Sequence, residues 1–142
     1  MRNDHDAMGI AAEAVDFFGI GKRDWANLRR IARAVERAGP AALDRFYAKV
    51  RQTPAVGKLF HSEQLVAHAR GKQLEHWRYL FSHEVDATFV ENSEKIGEVH
   101  ARIGLEPRWY IGGYARVLED MVGEIVGKRG ALLGGGNAAA VV

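Results

Sequence analysis

The chain reads as an all-α protein, and three observations say so. Apolar residues recur at three- and four-residue spacing through most of its 142 residues. No segment alternates apolar and polar residues over the length of a strand. Glycine and proline supply the punctuation between the periodic segments.

Ala11 to Phe18 reads as a short amphipathic turn or two, stopped by Gly19-Ile20-Gly21. Asp24 suits the cap of a helix to about Ala38, with Trp25, Leu28, Ile31, Ala32 and Val35 inward. Gly39 is expected to close it, and Pro40 suits the first turn of the next helix. That helix carries Leu43, Phe46, Tyr47 and Val50 on one face and ends near Thr53-Pro54. A connection through Val56, Leu59 and Phe60 leads to Ser62, a cap for a long helix to about Ser82. Its apolar arc, from Leu65 and Val66 to Leu80 and Phe81, is wide enough for two neighbours. Phe89, Ser93, Ile96, His100 and Ile103 then share one stripe of a helix that stops at Gly104. The last clear helix runs from Pro107 to about Val126, with Tyr110, Tyr114, Val117, Leu118, Met121 and Ile125 inward. Residues 127–142 read as a Gly/Ala-rich loop, with Asn137 opening the first turn of another helix.

Composition narrows the function. Hydrophobic residues are 47% and charged residues 27%, which is ordinary for a single globular domain. A net charge of +2, without a Lys/Arg stripe, gives no reason to expect nucleic acid. The absence of cysteine excludes disulfides, zinc–thiolate sites, iron–sulfur clusters and thiolate-ligated haem. No apolar run reaches spanning length and the first residues are polar, so a cytoplasmic protein with no membrane partner is expected.

His100 is the leading candidate for chemistry. An imidazole aimed inward beside a helix break is well placed to hold a buried metal-centred cofactor, though core histidines of that kind also occur. Gly97 lies three residues earlier on the same face, mid-helix, where glycine costs about 1 kcal/mol against alanine. Its smallness admits either something flat beside the imidazole or a close helix. Tyr47 places a phenol on an inward face, either as a core tyrosine or as a donor to a bound gas. His61, His68, His76 and His83 repeat at seven or eight residues, too far apart along a helix to share one metal. Most of that stripe should face solvent, with His76 nearest the apolar arc. Gly112-Gly113 points to a close helix crossing.

Phe46-Tyr47, Gln73-Leu74-Glu75-His76-Trp77 and the long block from Ile96 to Tyr114 resemble the sensor globin domain of the globin-coupled sensors. That family includes bacterial haem-based aerotaxis transducers and globin-linked diguanylate cyclases. The likeness runs from about Phe17 to Val126. It implies a globin fold with a short N-terminal pre-helix, a sensor globin domain over residues 1–126, and haem b as cofactor. It implies His100 as the proximal iron ligand, Tyr47 as the distal donor to dioxygen or another diatomic gas, and Tyr110 in contact with the proximal histidine. Phe46, Phe60, Ala69, Lys72, Gln73, Ile96, Gly97, Ile103, Trp109 and Tyr114 fall at pocket positions. Family domains end in a further long helix that completes a dimer-forming four-helix bundle. Here that last helix looks truncated, and no output module follows. The implied role is a non-enzymatic gas sensor acting as a homodimer in chemotactic or cyclase signalling. The rivals are a haem protein turning over oxygen or nitric oxide, and a haem-free helical interaction module.

Overall fold

The computed structural model describes the backbone of residues 4–133 and the side chains of residues 5–127. Among them all regular structure is helical: α1 (Asp4–Phe17), α2 (Lys22–Arg51), α3 (Pro54–Gly57), α4 (Glu63–Ser82), α5 (Ala87–Arg102) and α6 (Pro107–Leu133). The periodicity of the chain and the absence of alternating runs have the expected result, an all-α, globin-like bundle.

Helix starts follow local chemistry. Ser62 Oγ accepts from the Leu65 amide at 3.2 Å and Asp86 Oδ1 from the Phe89 amide at 2.9 Å, each satisfying a free donor of a first turn. At α2 the cap is Gly21, not Asp24. Asp24 sits in the first turn and reaches back to accept from the Gly21 amide at 2.9 Å.

Two expected boundaries are absent. Gly39-Pro40 does not divide α2, which runs through as one helix of 30 residues. The described glycines with positive φ are Gly19 and Gly104, so Gly39 adopts no left-handed stop. It is small for another reason: a Cβ there would meet Leu74 Cδ1 at 3.2 Å and Met121 Sδ at 4.0 Å. Pro40 removes one helical donor, a defect of about 3 kcal/mol in an isolated helix. Packing on both sides of it, by Ala38, Ala42 and Leu43, holds the helix together. Arg70 also donates to the Pro40 carbonyl at 3.2 Å. At the other end of the chain, α6 continues through residues 127–133, which had read as the start of a loop. The Gly134–Gly136 run and the turn at Asn137 lie outside the described residues. The first helix is also longer than its apolar run suggested, because Ala7 and Ala11 pack with Val90 of α5.

The central element is α2. Both α4 and α6 lie along it, while α5 packs against α1. The main core joins Val35, Ala38, Ala42 and Leu43 of α2 to Trp77 of α4 and to Val117 and Met121 of α6. Arg45 of α2 pairs with Asp120 at 3.4 Å and Glu124 at 3.5 Å of α6, and Arg70 of α4 pairs with Asp44 of α2 at 2.6 Å. These exposed pairs fix orientation more than they stabilise. The expected crossing at Gly112-Gly113 is carried by Gly113 alone, where a Cβ would come within 3.0 Å of the Phe46 ring.

Leu43 is fully buried where α2 meets its neighbours. Leu43→Ala should therefore cost about 2–5 kcal/mol of unfolding free energy, measured by urea denaturation. A loss under 1 kcal/mol would place the core elsewhere.

Candidate functional site

The end of α5 is built by a helix stop of defined geometry. Gly104 has φ +71°, its amide donates to the Ala101 carbonyl at 3.1 Å, and the Leu105 amide donates to the His100 carbonyl at 2.9 Å. This paired arrangement closes a helix on a left-handed residue. It turns the chain so that Pro107 can open α6 at once. The His100 and Tyr110 rings thereby stack, with centroids 4.9 Å apart and planes 23° from parallel.

Of the rest of the His100 stripe, Phe89 packs against the Ala7, Ala11 and Val90 cluster, while Ser93, Ile96 and Ile103 do not enter the core. Ile96 is 37% and Ile103 43% exposed, although both carry core-type side chains. Gly97 makes no close helix crossing, since a Cβ there would meet nothing within 4 Å. The space beside that glycine is open among the described residues. His100 itself is half-buried, and burial lowers its pKa below that of a free imidazole.

A second apolar group is built from α2, α3 and α4. Tyr47, Val50, Val56 and Val66 form a buried cluster, with Phe46, Phe60, Ala69, Leu105 and Trp109 packed against it. Tyr47 meets Phe46 and Phe60 edge-on, at ring separations of 5.1 and 5.6 Å. Burial pushes its phenol up to about 12, so the hydroxyl keeps its proton and acts as a donor. Next to Ala69 by one helical turn, Gln73 carries a buried Oε1 with no hydrogen-bond partner among the described residues. Lys72 points the other way: it is exposed and pairs with Glu75 at 3.0 Å.

The sequence candidates thus separate into two walls. Phe46, Tyr47, Phe60, Ala69 and Trp109 gather in one cluster, with Gln73 beside them. Ile96, Gly97, His100, Ile103 and Tyr110 form the other wall, half-buried or exposed. Tyr114 belongs to neither: its hydroxyl lies 3.4 Å from His76 Nε2 on α4. Sequence reading missed that pair and the packing of Leu105. The only available signal was the one-turn spacing of Tyr110 and Tyr114. His61, His68 and His83 are exposed and His76 half-buried, the distribution their spacing suggested. No group of three or more His, Cys, Asp or Glu among the described residues is arranged to hold a free metal ion.

A single imidazole beside a row of unpacked apolar side chains suits a planar apolar group that brings its own metal and four of its ligands. Elsewhere in the chain the Tyr47 cluster holds a neutral phenol, and beside it Gln73 carries a buried amide oxygen without a partner among the described residues. The residues fit haem. An all-α globin-type bundle with such a site defines a haem-binding globin class. The chain matches the Protoglobin family model over residues 9–137 and belongs to that family. Membership implies haem-binding capacity and a part in gas binding. No helix among the described residues is long and apolar enough to cross a membrane.

His76 supplies a pH test. Burial lowers its pKa below the 6.5 of a free imidazole, so the unfolded chain binds its proton more readily than the folded one. Its contribution to stability is full above pH 6.5 and is lost as pH falls through the lowered folded value. The urea midpoint of the haem-free chain should drop between pH 7.5 and pH 5, and His76→Gln should reduce that drop. An unchanged drop in the variant would show that His76 does not titrate this way.

Proposed function

We propose that this chain binds haem b through His100 and binds a diatomic gas, dioxygen foremost, beside Tyr47. The single observation that carries the reading is the pairing of two unlike walls. One offers an imidazole whose burial favours the neutral, ligating form, amid apolar side chains that the described residues leave part-exposed. The other offers a buried hydroxyl that keeps its proton up to about 12. When bound, haem iron supplies the coordination site for the gas. The chain's residues do the rest. His100 presents a ring nitrogen, and the stacked Tyr110 ring limits its rotation. Tyr47 holds a donor hydrogen in a dry setting, where a hydrogen bond to a partly negative ligand is worth more than in water. Phe46 and Phe60 fix that phenol by edge contacts and keep water from it.

Two uses of such a site are supported unequally. Binding draws on what the family match supports, and redox turnover of oxygen or nitric oxide would add an electron donor to it. Sensing, the use implied by the resemblance to globin-coupled sensors, needs in addition a homodimer and an output module. One feature supports it: Ile111, Leu118, Val122 and Val126 recur along α6 and are 38–62% exposed, an apolar stripe suited to a partner helix. We read the chain as a binding module and not as an enzyme, with the sensing role as the finer proposal.

Haem titration of the purified chain should give a Soret band saturating at one haem per chain. His100→Ala should lose most of that uptake. Tyr47→Phe should keep it and release oxygen about tenfold faster or more, the loss of a donor to a charged acceptor. Rapid turnover with a reductase would favour the redox use, and absence of a Soret band would favour a haem-free interaction module.

A further inference from the structure

Two tyrosines one turn apart on α6 touch different parts of the site. Tyr110 lies flat against the His100 ring at 4.9 Å. Tyr114 reaches α4: its hydroxyl is 3.4 Å from His76 Nε2, and its ring lies 4.4 Å from that of Trp77, 32° from parallel. Trp77 is 2% exposed and belongs to the main core, so this contact is anchored. α4 and α6 each lie along α2, and Trp77 of α4 shares the main core with Val117 and Met121 of α6. The group formed by Tyr114, His76 and Trp77 bridges them.

The chemistry of the bridge is specific. Burial raises the Tyr114 phenol to about 12, so it keeps its hydrogen. Burial lowers His76, so its ring is neutral near pH 7 and Nε2 is free to accept when Nδ1 carries the proton. A donor–acceptor distance of 3.4 Å is long for a hydroxyl, which marks a bond that small helix shifts make or break. His76 stands three residues from Gln73, on the α4 face that also carries Ala69 toward the Tyr47 cluster.

We infer that the Tyr114–His76 hydrogen bond is a positioning tie, through which α6 holds the Gln73-bearing wall in register with the wall that carries His100. The inference rests on the reading that these walls enclose haem and its gas ligand. Neither residue is placed in contact with ligand. Each acts through a neighbour: Tyr114 through the helix it shares with Tyr110, His76 through the helix it shares with Gln73. A change at either wall then reaches the other through α6, a short physical path with two arrangements, bond made and bond broken.

The test compares wild type with Tyr114→Phe, His76→Leu, His76→Gln and the Tyr114→Phe/His76→Leu double variant, all haem-loaded. Stopped-flow oxygen dissociation is one readout. Amide hydrogen exchange of α4 in the haem-free chains is the other. Tyr114→Phe and His76→Leu should each change the dissociation rate by roughly threefold to tenfold in the same direction, as expected for one hydrogen bond. The double variant should go no further than the larger single effect. His76→Gln keeps an acceptor and should return to within about twofold of wild type. Exchange around Trp77 should quicken in the two disrupting variants. Single-variant rates within about twofold of wild type, or effects that multiply in the double variant, would overturn the tie. If His76→Leu does not fold, Tyr114→Phe, which deletes one oxygen, decides alone. A wild type that takes up no haem would refute the reading of the site, while exchange in the haem-free chains would still decide the tie.

Discussion

Gly104 holds a left-handed backbone conformation, φ +71°, that a residue with a side chain adopts only under strain. The two amide–carbonyl bonds formed there end α5 two residues past His100 and let α6 begin almost at once. Most of what concerns function follows from that reversal. It presents the His100 ring to Tyr110, sets the unpacked side of α5 beside the start of α6, and brings Leu105 and Trp109 back onto the Tyr47 cluster. A chain that continued straight through this point would carry the imidazole away from its companions.

The second requirement is a rigid reference against which the reversal is placed. α2 provides it by refusing to break at Gly39-Pro40. The missing side chain at Gly39 lets Leu74 and Met121 close on the helix from two sides. The core so formed outweighs the proline defect. Tyr47 lies two turns further along the same helix, so its phenol is held by the best-packed element of the molecule. The site therefore joins a firm wall to a lightly packed one. α5 touches the rest of the protein mainly through α1 and its C-terminal turn. That inequality is what a cofactor-dependent site requires, since burial of the cofactor supplies packing that the chain does not give itself.

Much of this was legible in the amino acids. Helical period, the cap at Ser62 and the stop at Gly104 are local signals, and each was obeyed or followed closely. The His100 block and the Phe46-Tyr47 pair were readable because their residue types and order are distinctive. What was not legible depended on contacts between distant segments. Gly39 looks the same in sequence whether it ends a helix or admits a neighbour, and only Leu74 and Met121 decide. Asp24 suited a cap by type, yet its hydrogen bond to the Gly21 amide shows the helix already begun. Ile96 and Ile103 read as core because periodicity reports which face is apolar, not what covers it. Lys72 and Gln73 are neighbours in sequence, yet Lys72 is exposed and paired with Glu75 while Gln73 carries a buried amide oxygen.

The account depends on a coordinate bond from the His100 imidazole to haem iron. A crystal structure of the ferrous, haem-loaded chain measures that bond directly. The account predicts a ring nitrogen of His100 within bonding distance of the iron, with the Tyr110 ring still against the imidazole and Tyr47 on the opposite side of the porphyrin. Iron held by a different residue, or a His100 ring turned to solvent while haem is fully bound, would contradict it.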